Sequence, residues 1–309
     1  LIMDVSPQPN SPNLKKRRRK AIKNAGRWLT RRLGSFLGRQ SLVGDTPVIT
    51  TQHFPHLKAF TDNWQAIRAE AEAILKHREA IPAFHDVSPD QHKISTGKNW
   101  RTFILYGFGE RLEKNCVQAP FTAKLLSQVP DMQTAWFSIL SPGYHIRAHR
   151  GVSKGILRAH LGLIIPKDAE KCRIRVGDVF KVWRPGELFV FDDTYEHEVW
   201  NDTSEERVIL LFDFDRPMRF WGRAVNSTFI RLMKLTAFYQ EPKKNMQDVE
   251  ARRAGTVGPA LPGVQLRVVD DQGLAVSAGA IGGIQVKGPN VFKGYWRMPE
   301  KTAEEFTTD

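Results

Sequence analysis

The chain has 309 residues and 41% of them are apolar, so it can form one large domain, or two ordinary ones, around a buried core. Its formal net charge is +13, but residues 1–40 hold eleven Lys or Arg against one acid, Asp4. A charge gathered in one terminal arm argues against a folded nucleic-acid-binding domain, so we expect no specific nucleic acid partner. The two cysteines, Cys116 and Cys172, are far apart, which excludes a disulfide framework and indicates a reduced compartment.

The first predicted element is a basic amphipathic helix in residues 15–38, KKRRRKAIKNAGRWLTRRLGSFLG. Its apolar residues recur at helical spacing, and Lys and Arg fill the other face. This pattern, with Trp28 suited to an interface, is typical of binding to an anionic membrane surface. A solvated terminal helix is the alternative. Because the sequence contains no long apolar run and no signal peptide, we expect a cytoplasmic protein that is peripheral on the inner face of the membrane.

Composition divides the chain into three segments. Residues 1–45 are a disordered basic arm with its amphipathic helix, 46–249 form the main domain, and 250–309 are rich in Gly, Pro and Val. Within the main domain the pattern is helical to about residue 128 and then changes to short β-type runs separated by turn signals such as SPG and RPGE. We therefore predict a mainly β fold with flanking helices, an antiparallel sandwich or jelly roll.

Three histidines in the β region are candidate metal or cosubstrate residues: His149, His160 and His197. Iron(II) oxygenases commonly bind their metal through two histidines and one carboxylate, with positions left open. His149 and His197 have a suitable separation, and Arg207 follows ten residues later. Gly151, however, stands where the usual His-x-Asp/Glu motif has its carboxylate, so the residues alone leave an iron site open.

A helical zinc pair is the competing interpretation of His145 and His149, which have the i, i+4 spacing of such pairs. Pro142 and Gly143 precede them and strand-like runs flank them, so the helix that this motif requires is not expected.

Four stretches, HIRAHRG, LRAHLGLIIP, GELFVFDDTYEHEVWND and ERVILLFDFDRP, resemble the catalytic domain of the aspartyl/asparaginyl β-hydroxylases, whose motif also has glycine in place of the carboxylate. The resemblance spans roughly residues 95–217. It implies a jelly roll in which His149 and His197 bind Fe(II) without a third protein ligand. It also implies that Arg207 pairs with the distal carboxylate of 2-oxoglutarate, that Ser138 and His160 help to hold this cosubstrate, and that O2 is consumed.

Strand alternation places Arg158 on the same face as His160, so both are expected to point into the barrel. Arg158 is then a candidate for contact with an acidic or phosphate-bearing part of the substrate. A buried structural ion pair is an equally open interpretation. Arg207 enters from an apolar strand and should need an anion.

Four acids surround His197 in the sequence. Metal-bound imidazoles usually donate their other N–H to a carboxylate or carbonyl. An aspartate of the preceding turn, Asp192 or Asp193, is the expected acceptor, because alternation points Glu196 and Glu198 away from His197.

The resemblance implies oxidation of an unactivated C–H by Fe(II), 2-oxoglutarate and O2. The basic arm favours an acyl chain of a membrane lipid, of the lipid A or ornithine-lipid type, as the substrate. A peptidyl aspartyl/asparaginyl β-hydroxylase is the alternative. A non-catalytic metal-binding cupin is a second alternative, which would release no succinate from 2-oxoglutarate.

Residues 251–309 resemble an internal piece of AMP-forming acyl-CoA synthetases, close to malonyl-CoA synthetases, in RRAGTVGPALPGVQLRVVDDQG and VKGPNVFKGYWRMPEKTAEEF. The piece lacks that family's phosphate-binding loop and catalytic lysine, so we expect no ligase activity. Together with a start at Leu1 and an end at Asp309, this composition suggests a truncated fusion or an artefactual join of two reading frames.

Overall fold

The computed structural model describes residues 32–88, 92–107, 109–234, 240, 244–245, 264–270, 272–277, 282–289, 291, 300 and 306. The chain divides after Glu250 into two units, which are described separately. Of the predicted basic helix, residues 32–38 are described and are helical. Its residues 15–31 and the predicted disordered segment before them lie outside the described residues.

The helices of the first unit are α1 (residues 32–40), α2 (Lys58–Asp62), α3 (Trp64–Leu75), α4 (Phe84–Val87), α5 (Glu113–Cys116), α6 (Pro120–Leu126) and α7 (Phe220–Met233). Its strands are β1 (Val48–Ile49), β2 (Trp100–Gly107), β3 (Glu110–Arg111), β4 (Met132–Leu140), β5 (His145–His149), β6 (Ile156–Ile164), β7 (Cys172–Val176), β8 (Val179–Val182), β9 (Leu188–Phe191), β10 (His197–Asn201) and β11 (Arg207–Asp215). Short 3₁₀ turns lie at Thr51–His53, Pro55–Leu57, Arg78–Ala80 and Ala169–Lys171.

The strands form two antiparallel sheets. The large sheet has the order β1-β9-β6-β11-β4-β2-β3, and the small sheet has the order β5-β10-β7-β8. Consecutive strands alternate between the sheets from β4 to β7, with β4 and β6 in the large sheet and β5 and β7 in the small one. The unit is a jelly roll, a double-stranded β-helix with flanking helices, as the sequence predicts.

The large sheet is covered on both faces, and the two-residue period of its strands separates the two cores. On β11, Leu210 and Phe212 face the helices, where Phe212 stacks on Phe60 of α2 with ring centroids 4.9 Å apart. Ile209 and Leu211 face the small sheet. The site residues described below therefore project into the layer between the two sheets.

Helix α3 supports the large sheet from outside. Its period buries Ile67, Ala71 and Ile74 against the sheet, and its Glu70 carboxylate accepts hydrogen bonds from the backbone N–H groups of Phe121 and Thr122 at 2.8 and 2.9 Å. These N–H groups lie in the first turn of α6, where helix carbonyls leave them without acceptors. One carboxylate thus joins the two helices that cover this face.

The second unit contains an antiparallel pair, β12 (Gln265–Val269) and β13 (Gly283–Lys287). Apolar side chains on both strands remain exposed, including Leu266 and Ile284, and Val269 is the buried hydrophobic residue among the described part of this unit. A two-stranded ribbon is marginal by itself unless another layer covers it.

Candidate active site

His149 and His197 lie side by side in the small sheet. They are direct partners in the β5–β10 ladder, and their ring centroids are 4.1 Å apart. His197 is buried and His149 is half-buried, and Phe191 of the large sheet packs edge-on against His197 with the centroids 5.7 Å apart. The structure brings the two predicted metal ligands together.

A β-bulge makes this meeting possible. The register of β5 against β10 shifts between the His149–His197 pair and the Ile146–Val199 pair. Three steps along β5 therefore oppose two along β10, so Ile146 and His149 both face the barrel although they are three positions apart. His145 remains on the outer face, stacked on Trp200 with centroids 5.0 Å apart. The helical zinc pair of His145 and His149 is excluded, because these residues occupy a strand and opposite faces.

Backbone carbonyls set the tautomer of both rings. His149 Nδ1 lies 2.8 Å from the Arg147 carbonyl, and His197 Nδ1 lies 3.0 Å from the Tyr195 carbonyl. A carbonyl oxygen can only accept, so each Nδ1 carries the proton and each neutral ring keeps its Nε2 lone pair for a metal. The acceptor expected for His197 was Asp192 or Asp193, and that prediction is wrong: the chain bends so that its own carbonyl two residues back takes this role.

Burial keeps both rings neutral. It lowers the pKa of His149, against the opposing hydrogen bond to Arg147. Burial, with His149 and the Arg158 cation nearby, lowers the pKa of His197 to about 3. Two neutral imidazoles with matching tautomers are the donors that a divalent metal requires. Among the described residues, no cluster of three His, Cys, Asp or Glu side chains forms around them.

The Asp193 carboxylate occupies the space next to Gly151. The Gly151 N–H donates to the Asp193 carbonyl at 2.7 Å, and any Cβ at position 151 would overlap the Asp193 carboxylate. Burial raises the pKa of Asp193 to about 7, with Asp213 and Asp192 adding to the effect and Arg158 opposing it. Glycine at 151 is therefore a packing requirement of this site.

Arg207 lies at the start of β11 and is buried, with 1% of its surface exposed. Its Nη2 donates to Ser138 Oγ at 3.1 Å, and its guanidinium lies 4.8 Å from the centroid of the Trp183 ring. Trp100 Nε1 also donates to Ser138 Oγ, at 3.0 Å. No carboxylate among the described residues pairs with Arg207, and burial lowers its pKa to about 10.

His160 packs on the same Trp183 ring as this cation and lacks hydrogen bonds at both ring nitrogens within the described part of the chain. Arg207 Nε and the Trp183 and Trp136 indole N–H groups, all buried, are also unpartnered there. The His160 ring packs on Trp183, with centroids 5.9 Å apart, and on Phe191, 4.9 Å away. Buried polar groups rarely lack partners, so this set of donors and the uncompensated cation fit a small anionic ligand. Phe191 contacts both His160 and His197, which joins the ligand region to the histidine pair.

Arg158 shares the inner face with His160, as the alternation predicts, and its partners are acids of the chain itself. Its Nε and Nη2 bind the Asp213 carboxylate at 2.7 and 2.8 Å, and Asp193 lies 3.4 Å away. The structure thus contains the buried ion pair that was one of the two open interpretations. Contact with substrate remains a prediction for Arg158.

The two glutamates beside His197 lie on the outer face of the small sheet, as expected. Glu198 binds Arg175 at 2.6 Å and His145 at 3.2 Å, while Glu196 contacts Arg175 and Arg150. They form an ion-pair network, which differs from the purely solvated role that the sequence indicated. Cys116 and Cys172 are buried free thiols that take no part in the site.

Sequence reasoning missed a second buried network. Arg216 pairs with Asp192 with both side chains fully buried, and Lys154 bridges Asp192 at 3.2 Å and Asp45 at 2.6 Å. Asp192 also accepts from the Thr194 backbone N–H at 2.9 Å, which shapes the turn before His197. The doubled aspartate was the only available signal, and its partners are remote in sequence.

A separate cleft of about 520 Å³ lies along β7, β8 and β9. Phe189 forms part of its lining and also contacts His160, with ring centroids 5.5 Å apart. Its charged lining residues include both acids and bases, namely Glu170, Arg173, Lys181, Arg184 and Glu187. This cleft is distinct from the histidine pair, which does not line it.

The family model of the aspartyl/asparaginyl beta-hydroxylases matches residues 61–217. The ornithine lipid ester-linked acyl 2-hydroxylase of Rhizobium tropici is 40% identical over 210 residues, which cover 68% of this chain and 75% of that protein. The chain belongs to the aspartyl/asparaginyl β-hydroxylase family. The human aspartyl/asparaginyl beta-hydroxylase is 35% identical over 166 residues, covering 52% of this hydroxylase and 21% of the human protein.

Among solved structures, a Pseudomonas putida prolyl-4-hydroxylase aligns with a TM-score of 0.33 and 19% identity over 53% of this chain and all of that one. The model of the AMP-binding enzymes matches residues 225–296, starting inside α7. The malonate–CoA ligase of Arabidopsis thaliana is 49% identical over 59 residues, which are 19% of this chain and 9% of that protein. The C-terminal segment is thus similar to AMP-forming acyl-CoA synthetases, as the sequence predicts. None of the described helices is long and apolar enough to cross a membrane.

Proposed function

We propose that this hydroxylase is an iron(II)- and 2-oxoglutarate-dependent dioxygenase that hydroxylates an unactivated C–H in an acyl chain of a membrane lipid. The observation that carries the proposal is Arg207, a fully buried guanidinium with no carboxylate partner among the described residues. It lies against the Trp183 ring, as the unpartnered His160 does, and His160 is joined through Phe191 to His197 of the histidine pair.

The residues fit the two absent groups. His149 and His197 would hold iron(II) through Nε2, since both Nδ1 protons are engaged with carbonyls. Arg207 would bind one carboxylate of 2-oxoglutarate, and Ser138 and His160 would complete the contacts. Iron(II) with 2-oxoglutarate and O2 supplies the oxidant for the C–H bond.

The chain's own contribution is position, charge balance and exclusion of water. Ser138 Oγ accepts from both Arg207 and Trp100, which fixes the guanidinium plane against the Trp183 ring. The Phe191 ring packs against both His160 and His197 and keeps an apolar group next to each imidazole. The ion pair between Arg158 and Asp213 closes the inner face of β6 and β11 beside the site.

A lipid substrate is favoured over a peptide by two observations. The Rhizobium tropici relative, whose name gives an ester-linked acyl chain of ornithine lipid as its substrate, is matched over 75% of its length, whereas the human relative is matched over 21%. The helix predicted from the sequence for residues 15–38 is basic and would bring the enzyme to an anionic membrane on its cytoplasmic side.

The test is turnover of the full chain with iron(II), ascorbate, 2-oxoglutarate and O2, using an ornithine-type lipid or an acidic peptide in parallel. We expect succinate release and the gain of one oxygen on the lipid acyl chain. Gain of oxygen on the peptide alone would support the peptidyl hydroxylase alternative, and absence of succinate in both would indicate a non-catalytic metal-binding cupin.

Matched variants test the residues. His149→Ala and His197→Ala should abolish turnover, while His145→Ala, a change on the outer face of the same strand, should retain it. Arg207→Ala should mainly weaken the use of 2-oxoglutarate. Activity of both site-histidine variants equal to that of His145→Ala would show that the metal ligands are assigned wrongly.

A further inference from the structure

Helix α7 exposes large apolar side chains next to its arginines. Phe220 and Trp221 are 64% and 69% exposed, with ring centroids 5.2 Å apart, and Leu232 on the last turn is 60% exposed. Gly222 and Asn226 are the buried residues of the helix. These aromatic side chains therefore lie on the surface, although the same helix has a packed side.

The charges of this region have one sign. Residues 216–240 contain no Asp or Glu, and neither do residues 5–44. Arg219, Arg223 and Arg231 are exposed, and none forms an ion pair with an acid among the described residues. Exposed cations without acids, interleaved with Phe and Trp, are suited to an anionic interface that also accepts apolar side chains.

Helices α1 and α7 meet at this surface. The Leu42 N–H donates to the Pro217 carbonyl and the Arg219 N–H donates to the Gln40 carbonyl, both at 2.9 Å. Gly222 packs so closely on the Gln40 side chain that a Cβ there would overlap it. The segment that leads out of α1 therefore places exposed Leu42 beside the first turn of α7.

The same elements contact the loop that follows His149. Asn226 Nδ2 donates to the Gly155 carbonyl at 3.2 Å, and the Arg216 N–H donates to the same carbonyl at 2.8 Å. Gly38 of α1 packs against Lys154 of this loop. The packed side of α7 and the end of α1 thus contact Lys154 and Gly155, the last residues of the loop that connects a candidate metal ligand to β6.

We propose that the exposed face of α7, with Leu42 and the end of α1, is a docking surface for anionic phospholipid bilayers. Phe220 and Trp221 enter the interface while Arg219, Arg223 and Arg231 bind lipid phosphates. This inference rests on the proposed lipid substrate and adds a folded contact to the basic arm, on a helix whose packed side holds the loop that follows His149.

The test is sedimentation of the full chain with vesicles of phosphatidylglycerol and phosphatidylcholine, compared with phosphatidylcholine alone. We expect Phe220→Ser/Trp221→Ser to weaken binding about tenfold or more. Arg223→Gln/Arg231→Gln should weaken it roughly fivefold for each cation removed. Matched controls are Phe180→Ser, an equally exposed aromatic on β8, and Lys76→Gln/Lys93→Gln, which should bind as the wild type does.

Circular dichroism melting should be unchanged in all variants, because the altered side chains are exposed. Wild-type binding by the α7 variants, or equal binding of the wild type to neutral and anionic vesicles, would overturn the proposal. So would binding to duplex RNA that depends on these residues without binding to vesicles. Sedimentation measures vesicle binding and does not depend on turnover. Succinate release with a water-soluble short-chain substrate measures turnover, so it tests the proposed function independently.

Discussion

Two buried arginines should respond in opposite directions to the same substitution. Arg207 and Arg216 are 1% and 3% exposed, but Arg216 pairs with Asp192 while Arg207 has no acid partner among the described residues. At about 1.4 kcal/mol per unit of pKa, the fall in the pKa of Arg207 from its ordinary value to about 10 corresponds to roughly 3 kcal/mol against the charged side chain.

This cost destabilises the folded protein because the pKa of Arg207 is lower in the folded protein than in the unfolded chain. The cost is present in full below about pH 10 and is relieved only as the pH rises through the folded pKa of Arg207 towards its ordinary value. Arg207→Met removes it, and loses the Ser138 hydrogen bond, worth about 1 kcal/mol, and the Trp183 contact. The ligand-free protein should therefore gain about 1–2 kcal/mol, or roughly 3–6 °C in Tm. Arg216→Met removes the fully buried cation that pairs with Asp192, leaves Lys154 at 3.2 Å as the remaining cationic partner of this buried carboxylate, and should cost about 3 kcal/mol.

Calorimetry with and without 2-oxoglutarate measures both effects. At a hundredfold excess over its Kd, the cosubstrate should stabilise the wild type by about 2.7 kcal/mol. It should not stabilise Arg207→Met. If Arg207→Met loses stability as Arg216→Met does, or if 2-oxoglutarate still stabilises it, the guanidinium has a structural role and the cosubstrate assignment is refuted.

Three further outcomes follow. Gly151→Asp should destabilise by about 2–3 kcal/mol in urea titrations because the Asp193 carboxylate fills the space, and Asp193→Gly in the same chain should restore most of the loss; an unchanged single variant would contradict this. Burial raises the pKa of Asp215 to about 6, so the free energy of unfolding should fall by up to about 3 kcal/mol as the pH rises from 4 to 6. Asp215→Asn should abolish that fall, and a variant with the same pH profile as the wild type would disprove the cause. Deletion of residues 251–309 should leave the melting of the first unit unchanged, and marked destabilisation would show that the tail is not an appendage.

The features that depend on local periodicity were predictable from the sequence. Alternation correctly placed Arg158 and His160 on one face and kept Glu196 and Glu198 off the face of His197. The apolar run after Arg207 correctly indicated its burial. Each of these inferences requires only that a strand has a two-residue period.

The features that depend on the pairing of distant strands were not predictable. Asp213 opposes Arg158 because of the register between β11 and β6, which no local pattern encodes. The bulge in β5 that turns His149 into the barrel while His145 stays outside is set by its pairing with β10. The acceptor of His197 is a backbone carbonyl, and backbone groups leave no compositional trace.

The absent carboxylate at Gly151 is best understood together with Asp193. Taken alone in the sequence, glycine at this position looks like the loss of a ligand. In the structure the space beside Gly151 is filled by a carboxylate that comes from the turn before β10, and this carboxylate is held 3.4 Å from Arg158. A side chain at 151 and the carboxylate of Asp193 cannot coexist there, so the two positions form one packing unit. The carboxylate next to this position therefore belongs to the turn before β10 and faces Arg158, while β5 itself carries no acidic side chain there.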